Sequence, residues 1–527
     1  MTLKPKINHS MLEQILSSRH KKEDFNTLAQ LPKPDKLKDC IKAAKRVVHA
    51  IQTGENITIV GDYDVDGIVS TSIMVDFFDE VGYKVDYIIP NRFEHGYGLS
   101  KKIIDMIDSG LVVTVDNGIS AHESALLCKK KNLDLIITDH HTVGDTMPQA
   151  YAVVNPKRED CNFPFKEICG AQVAWYLCAQ IKKELNIDIN MSKFLDLLSL
   201  AIVADIMPMV SLNHTMVKYG MQYLLKSNRP SFIVLNQMMQ KSKYVADDIG
   251  FFIAPRINSA GRLEDGSIAL NFLLAKDIAQ AQESFEYLTQ LNNQRKEIQN
   301  DITAQAIEQV NEEDKVIVVY HDDWHEGVIG IVASRLVDQF EKPAFVFCAN
   351  NDTLKGSARS AANDIHLYEL IDKVKQYVIG FGGHKSAAGL SLKKENFNQF
   401  KDAINKVNLE KQTDICASPI IGEIDLNCVN FELMNLLYQY EPYGLDNIKP
   451  KFTLSNISAS NITYMGKNKE HLKIYIQSEN GSYEAIKFNN TIKINKDDIL
   501  DLVVSLGENE FRGNTKIQFL IEKITIQ

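Results

Sequence analysis

The chain has 527 residues, of which 45% are hydrophobic and 24% charged, and its formal net charge is −10. These values are typical of a globular protein of roughly three or four domains, and no apolar stretch approaches the ~18 residues that a membrane span needs. Net acidity argues mildly against a nucleic-acid partner, although residues 1–50 carry eleven Lys and Arg against five Asp and Glu. Because the eight cysteines form no C-x-x-C pair and no signal-peptide layout is seen, we expect a cytoplasmic protein without a zinc site.

Hydrophobic patterning along the chain changes three times. Short β-rich runs first alternate with amphipathic stretches, which predicts α/β architecture with a doubly wound parallel sheet. A mostly helical region and one long helix without Gly or Pro follow; then come a second, smaller α/β unit and a series of short alternating strands typical of a small β-barrel. The expected divisions are 1–50 (helical extension), 51–275 (first α/β domain), 276–312 (linking helix), 313–412 (second α/β domain) and 413–527 (β-barrel).

Three aspartates alternate in "ITIVGDYDVDGIVST", at positions 62, 64 and 66. The pattern D-x-D-x-D-G also opens an EF-hand calcium loop, but that loop requires a bidentate Glu at its twelfth position, where this chain has Ile73. The β-branched run before the motif and the helical periodicity after it place the carboxylates where a strand turns into a helix. Open α/β sheets bind ligands at such a point, although an acidic turn with an N-cap aspartate remains an alternative for this motif alone.

Further potential metal ligands follow the neighbouring strands. "LVVTVDNG" ends in Asp116, "LDLIITDHH" ends in Asp139, His140 and His141, and Asp205 lies in an otherwise apolar helix. Taken singly, Asp205 also fits a loop cap and the histidines a polar turn. Clustered carboxylates repel one another and a divalent cation relieves that repulsion; oxygen-rich ligation without thiolate favours Mn²⁺ or Mg²⁺. We expect two ions bridged by Asp116, an arrangement that hydrolyses phosphoesters, and we expect Asp139 to orient His140.

The combination of "DYDVDG", "VDNG", "TDHH" and "VAD" resembles the DHH phosphoesterase superfamily. The resemblance implies a set of metal ligands, namely Asp64, Asp66, Asp116, His140 and Asp205. It also implies that His141 lies near the scissile phosphate. Some members begin the first motif with a histidine ligand; Val60 stands at that place here, so Asp62 or water is expected to complete the first site.

Other segments resemble the RecJ family of single-strand-specific DNA exonucleases: "PNRFEHGYGLS", "APRINSAGRLEDGS", "WHEGVIGIVASR", "KGSARS" and "GFGGHKSAAG". Several carry arginines on loops containing Gly, Ser or Asn, where a guanidinium can contact phosphate in bidentate fashion; an interdomain salt bridge is the alternative for any one of them. The residues expected to bind substrate are Arg92, Arg256, Asn258, Arg262, Ser357, Arg359 and Gly383. The resemblance implies that Arg92, Ser357 and Arg359 hold the 5′-terminal phosphate. His141 and His384 are expected to stabilise charge in the transition state.

This resemblance implies a DHH domain, a DHH-associated substrate-binding domain and an OB-like β-barrel that binds nucleic acid. The implied activity is a Mn²⁺- or Mg²⁺-dependent exonuclease that degrades single-stranded DNA from the 5′ end to mononucleotides, in repair and recombination. We expect a monomer without membrane contact, partnered by a helicase and a single-strand-binding protein. A phosphodiesterase for short RNA or cyclic dinucleotides and a catalytically silent DNA-binding subunit are the alternatives.

Overall fold

The computed structural model describes residues 6–19, 25–360, 365–383, 385–409 and 420–527, apart from 460, 467–468, 470, 480, 489, 491, 496 and 512–513. Within these ranges, no helix combines the length and the apolar character that crossing a membrane requires. Three separate sheets organise the molecule, and each has its own hydrophobic core.

The first domain is built on a five-stranded sheet in which all neighbouring strands are parallel, in the order β2-β1-β3-β4-β5. Its strands are β1 (Ile57–Val60), β2 (Asp86–Ile88), β3 (Leu111–Val115), β4 (Asp134–Thr138) and β5 (Ala152–Val154). The helices up to this point and just beyond are α1 (His9–Arg19), α2 (Cys40–Thr53), α3 (Val65–Val81), α4 (Lys101–Asp105), α5 (His122–Lys130) and α6 (Gly170–Leu185). Strands β1 and β3 are buried along their whole length because helices cover both faces of the sheet. Because β1, β3 and β4 pair in parallel, their carboxyl ends lie side by side.

A helical region completes this domain and joins it to the next. It contains α7 (Leu195–Ala204), α8 (Ser211–Leu225), α9 (Pro230–Met239), α10 (Ala246–Asp248), a π-helix (Ile249–Ile253), α11 (Ala254–Leu263), α12 (Ser267–Leu273) and α13 (Ile278–Glu308). The long linking helix expected from the sequence is α13, whose 31 residues pack against α9, α11 and α12.

The second domain has a mixed five-stranded sheet in the order β6-β7-β8-β10-β9, in which β6 and β7 are parallel and the remaining pairs antiparallel. Its elements are β6 (Ile317–His321), α14 (Glu326–Phe340), β7 (Ala344–Asn350), β8 (Thr353–Arg359), α15 (Leu367–Asp372), β9 (Val378–Gly383), β10 (Ala387–Lys393) and α16 (Phe397–Lys406). Helix α14 packs on α11 and α13, which brings this sheet towards the first domain.

The third domain contains one seven-stranded sheet, in the order β11-β12-β16-β17-β15-β14-β13. Its elements are β11 (Ile420–Glu423), α17 (Phe431–Gln439), β12 (Lys451–Ser458), β13 (Ile462–Met465), β14 (His471–Ser478), β15 (Gly481–Lys487), β16 (Ile499–Phe511) and β17 (Asn514–Ile526). Among the residues placed here, no strand pairing closes this sheet into the barrel expected from the sequence, because β11 and β13 remain its edges.

The helix α1 belongs to the core of the third domain, not to that of the first. Leu12 and Leu16 are buried in the cluster that contains Leu433 and Phe452, and the backbone of Ile7 pairs with the strand end at 423–425. The sequence-based segment 1–50 therefore contributes to two different domains, since α2 packs on α6 and β5.

Candidate metal centre

The first carboxylate group is positioned by the turn between β1 and α3. Asp64 is the N-cap of α3, where its Oδ1 accepts a hydrogen bond from the Gly67 N–H at 3.1 Å. Asp66 lies in the first turn of α3 and accepts from the N–H groups of Gly170 (2.6 Å) and Ala171 (2.8 Å) at the start of α6. The N-terminus of α6 thus fixes the Asp66 carboxylate, which the positive end of the helix dipole favours.

Asp116 follows β3 in a left-handed conformation with φ +62°, which an Asp residue tolerates better than most. The neighbouring Asn117 holds the ends of β1 and β3 together, because its Nδ2 donates to the carbonyl groups of Val60 and Gly61, each at 3.0 Å. A Cβ atom on Gly170 would lie 2.5 Å from Cβ and Oδ1 of Asp116. The start of α6 can therefore approach this carboxylate only because it has no side chain there.

His140 connects the carboxylates that come from distant parts of the chain. Its Nε2 lies 3.3 Å from Asp116 Oδ1, 3.6 Å from Asp205 Oδ2 and 3.7 Å from Asp66 Oδ2. Among the described residues, three sets of side chains have ligand atoms within 4.8 Å of one another: Asp66, His140 and Asp205; Asp62, Asp64 and Asp116; Asp116, His140 and His141. Asp205 is the residue that caps the C-terminus of α7, one position beyond the helix in which the sequence placed it.

The electrostatics of this cluster fit divalent cations. Asp62 Oδ1, Asp116 Oδ1 and Asp205 Oδ2 are buried and have no hydrogen-bond partner among the residues described. Burial and the neighbouring carboxylates raise the pKa of Asp66 to about 6 and that of Asp205 to about 8, and they raise the pKa values of Asp62 and Asp116 well above the usual range. A bound Mn²⁺ or Mg²⁺ ion would neutralise the negative charge of these buried carboxylate oxygens and so remove their mutual repulsion.

Asp139 was expected to orient the His140 ring, and this was wrong, because its carboxylate contacts the His141 ring instead. Asp139 Oδ1 lies 2.7 Å from Nδ1 of His141 and also accepts from the backbone N–H groups of His140 and His141. Burial lowers the pKa of His141, but the hydrogen bond and charge of Asp139 outweigh it and raise that pKa to about 9. Asp139 therefore favours the protonated form of His141, whereas burial and the charge of His141 lower the pKa of His140 to about 3. One imidazole is thus suited to binding a metal and the other to donating a proton to an anion.

A cavity of about 820 Å³ lies between the first two domains. Tyr97, Asp139 and His141 line it from the first domain, and Gly383 and Gly389 from the second. Gly383 has φ +147°, and a Cβ atom there would lie 2.4 Å from the Ala387 carbonyl oxygen. The neighbouring position His384, predicted as a catalytic residue, lies outside the described residues.

Three of the arginines expected to bind substrate lie near one another. Burial and the charges of Arg92, Arg295 and Arg359 lower the pKa of Arg262 to about 10. The Arg359 Nη1 donates to Ser357 Oγ at 3.1 Å, and the Arg92 guanidinium lies 4.4 Å from the centre of the Tyr63 ring. Within the described part of the chain none of these guanidinium groups has a carboxylate within 4.0 Å, so an anion would relieve their mutual repulsion.

The structure does not bring Arg256 into this group. Its guanidinium lies 3.7 Å from the Phe252 ring centre, and Nη1 donates to the Phe252 carbonyl at 2.6 Å, so it packs α11 against the π-helix and α13. Asn258, two residues further along α11, lines a second cavity together with Arg262 and Arg295.

Sequence reasoning did not single out several residues that shape the site. Tyr97 donates to the Asp116 carbonyl at 3.4 Å and contacts the His141 ring edge to face, with 6.3 Å between ring centres. Asn117 and Gly170 fix the positions of the carboxylates, as described above. The "DNG" and "CGAQ" segments contain these residues, but only the three-dimensional approach of α6 to β3 gives them a role.

Comparison with known proteins agrees with this organisation. Family models match the DHH family N-terminal domain at residues 56–202, the DHHA1 domain at 313–409 and the RecJ OB domain at 420–523. The single-stranded-DNA-specific exonuclease RecJ of Haemophilus influenzae is 34% identical, and the alignment covers 98% of this chain and 96% of that protein. Its counterpart in Escherichia coli is 33% identical, with 92% and 89% covered.

Solved structures give the same result. The crystal structure of RecJ from Thermus thermophilus in complex with Mn²⁺ has a TM-score of 0.80 and 27% identity, covering 98% of this chain and 76% of that one. A Mg²⁺ complex from the same source has a TM-score of 0.75 and 26% identity, with 98% and 74% covered. The fold and the acidic cluster define a protein of the DHH class. Within that class, the chain belongs to the family of RecJ exonucleases.

Proposed function

We propose that this protein is a metal-dependent exonuclease that degrades single-stranded DNA from its 5′ end and releases 5′-mononucleotides. The observation that carries the proposal is the convergence of five buried or half-buried carboxylates, Asp62, Asp64, Asp66, Asp116 and Asp205, around His140 and the ends of β1 and β3. The relatives that share this organisation are named single-stranded-DNA-specific exonucleases.

Two divalent cations, Mn²⁺ or Mg²⁺, are assigned to this cluster. One would be held by Asp66, His140 and Asp205, the other by Asp62 and Asp64, and Asp116 would serve both because it belongs to the second group and lies 3.3 Å from His140. When bound, such a pair supplies an activated water and neutralises charge on the phosphate undergoing displacement.

The remaining residues hold and polarise the substrate. Asp139 keeps His141 protonated, so the ring is ready to donate a hydrogen bond to a non-bridging phosphate oxygen next to the metal cluster. Arg92 and Arg359, together with Ser357, hold the terminal 5′-phosphate, and no carboxylate of the described residues competes with it for the two guanidinium groups. A binding site that accepts only a terminal phosphate would set the 5′-to-3′ direction.

The third domain provides a further surface for the strand, and the enzyme would act in repair and recombination in the cytoplasm. A helicase would supply the single strand from duplex, and a single-strand-binding protein would present it. A phosphodiesterase of short RNA or cyclic dinucleotides would not need this added domain, and a catalytically silent subunit would not need the full set of ligands.

The proposal is tested by assaying 5′-labelled single strands, matched duplexes and dinucleotides side by side with Mn²⁺. Release of labelled mononucleotide from the single strand, with duplex cut at least about tenfold more slowly, is the expected result. Preference for dinucleotides would favour the short-substrate enzyme, and absence of turnover would favour the silent subunit.

A further inference from the structure

An isoleucine with a strained backbone lies next to the acidic cluster described above. Ile206 directly follows Asp205 and has φ +53°, a left-handed conformation that is rare for a β-branched residue. The N–H groups of Ile206 and Met207 donate to the carbonyls of Val203 and Ile202, so Ile206 occupies the position after α7 that usually holds glycine. Ile206 is nevertheless 69% exposed, so burial does not compensate the strain. Strain of this kind is characteristic of positions selected for function.

A second exposed apolar residue lies on the same cavity. Phe251 is 82% exposed in the middle of the π-helix Ile249–Ile253, and both Phe251 and Ile206 line the second cavity, of about 420 Å³. π-Helical turns are rare and often mark functional sites, because the extra residue changes which side chains face outward. The exposed residues Phe251 and Ile206 therefore give this cavity, next to Asp205, an apolar surface suited to contact with an apolar part of a ligand.

The charges of the same cavity indicate the class of that ligand. Arg262 and Arg295 line it, and neither has a carboxylate within 4.0 Å among the positions described here; their donors contact the Gly327 carbonyl and the amides of Asn292 and Gln299. The acidic group in the lining, Asp247, is paired with Lys449 at 3.3 Å. Apolar faces beside uncompensated guanidinium groups match a chain of stacked bases joined by phosphates.

We infer that Ile206 and Phe251 form a base clamp, in which the two side chains hold a base of the incoming single strand while Arg262 and Arg295 contact the flanking phosphates. This inference rests on the proposed function and specifies how the strand is gripped before it reaches the metals. The clamp recognises the apolar face of any base, so it gives no sequence preference, and it needs an unpaired base, so it disfavours duplex.

The test measures the first cleavage of a 5′-phosphorylated 15-nucleotide strand under single turnover, with full-length protein and Mn²⁺. Phe251→Ala is expected to raise the half-saturating enzyme concentration on the order of tenfold, more than it lowers the maximal rate, and Phe251→Trp to restore it. Met238→Ala, a 60% exposed residue on α9 outside the cavity, is the matched control and should bind as wild type.

A panel of strands, each with one abasic position near the 5′ end, distinguishes stacking from a structural effect. When the missing base is the one that the clamp holds, wild type should bind the abasic strand as weakly as Phe251→Ala binds the intact strand. Phe251→Ala should then bind that abasic strand no more weakly than it binds the intact strand. Phe251→Ala that binds the intact strand like wild type, or whose defect persists on every abasic strand, would overturn the clamp. In both cases the wild type still cleaves DNA, so the proposed function survives; a wild type without exonuclease activity refutes that function first.

Discussion

Gly170 is a position at which one added methyl group should damage the metal centre. In Gly170→Ala the new Cβ would lie 2.5 Å from Cβ and Oδ1 of Asp116 and 2.7 Å from its Cγ. Ordinary contact between such atoms is about 3.5–4.0 Å, so Asp116 or the start of α6 must move by roughly 1 Å. Either movement also disturbs the hydrogen bonds from Gly170 and Ala171 to Asp66.

The expected cost has two parts. Overpacking in a rigid interior destabilises a fold by about 1–3 kcal/mol, and disturbing groups that orient metal ligands weakens metal binding about 10–100-fold. Titration calorimetry with Mn²⁺ and the rate of single-strand hydrolysis measure the second part, and thermal unfolding measures the first. Gly144→Ala is the control, because a Cβ at this exposed position meets nothing within 4 Å. If Gly170→Ala bound Mn²⁺ within about threefold of wild type, the close approach of α6 to Asp116 would not be what sets the ligand geometry.

Four further experiments test the acidic cluster, the phosphate-binding arginines and the packing of α1. Asp116→Asn should abolish hydrolysis yet raise the unfolding temperature of the metal-free protein, because a neutral amide removes repulsion inside a buried acidic cluster; a lower unfolding temperature would contradict that view. Burial raises the pKa of Asp66 to about 6 and that of Asp205 to about 8, whereas the pKa of Asp in the unfolded chain is about 4. Since the folded state binds more protons between these values, the metal-free fold should lose stability as the pH rises from about 4 to about 8. Since protons compete with Mn²⁺ at the lower end, the rise in unfolding temperature caused by Mn²⁺ should be larger at about pH 8 than at about pH 5.5, and calorimetric scans showing equal rises would argue against proton competition. Arg359→Ala should reduce the preference for a 5′-phosphate over a 5′-hydroxyl by about tenfold or more, measured as a ratio of kcat/KM values, and an unchanged ratio would remove it from the phosphate site. Leu12→Ala should destabilise the third domain by about 2–5 kcal/mol, seen as faster proteolysis between β11 and β17; equal cleavage of the variant and wild type would place α1 outside that core.

The convergence of the potential metal ligands was predictable from the sequence because most of them follow strands of one parallel sheet. Parallel strands align their carboxyl ends at one edge of a sheet, so acidic residues after β1, β3 and β4 had to meet. Side-chain partners inside the cluster follow no such rule. Asp139 contacts the His141 ring because the loop after β4 turns that ring towards it, and nothing in "TDHH" distinguishes the two histidines.

Long-range packing explains the remaining differences. Arg256 lies in a motif rich in phosphate-binding residue types, yet the aromatic rings of Phe252 and Phe285 surround its guanidinium. The position of α1 in the third domain depends on contacts between residues more than about 400 positions apart, which periodicity within a short window does not detect. The strain at Ile206 is likewise visible only in the backbone angles.

The packing of α1 into the third domain has a consequence for biosynthesis. Leu12 and Leu16 are synthesised about 400 residues before Leu433 and Phe452, which bury them. At about 5–20 residues per second, this apolar helix face waits on the order of 20–80 s for its partner. A nascent chain in this interval should be a substrate for chaperones, and ribosome stalling in the last domain should leave the helix exposed to degradation.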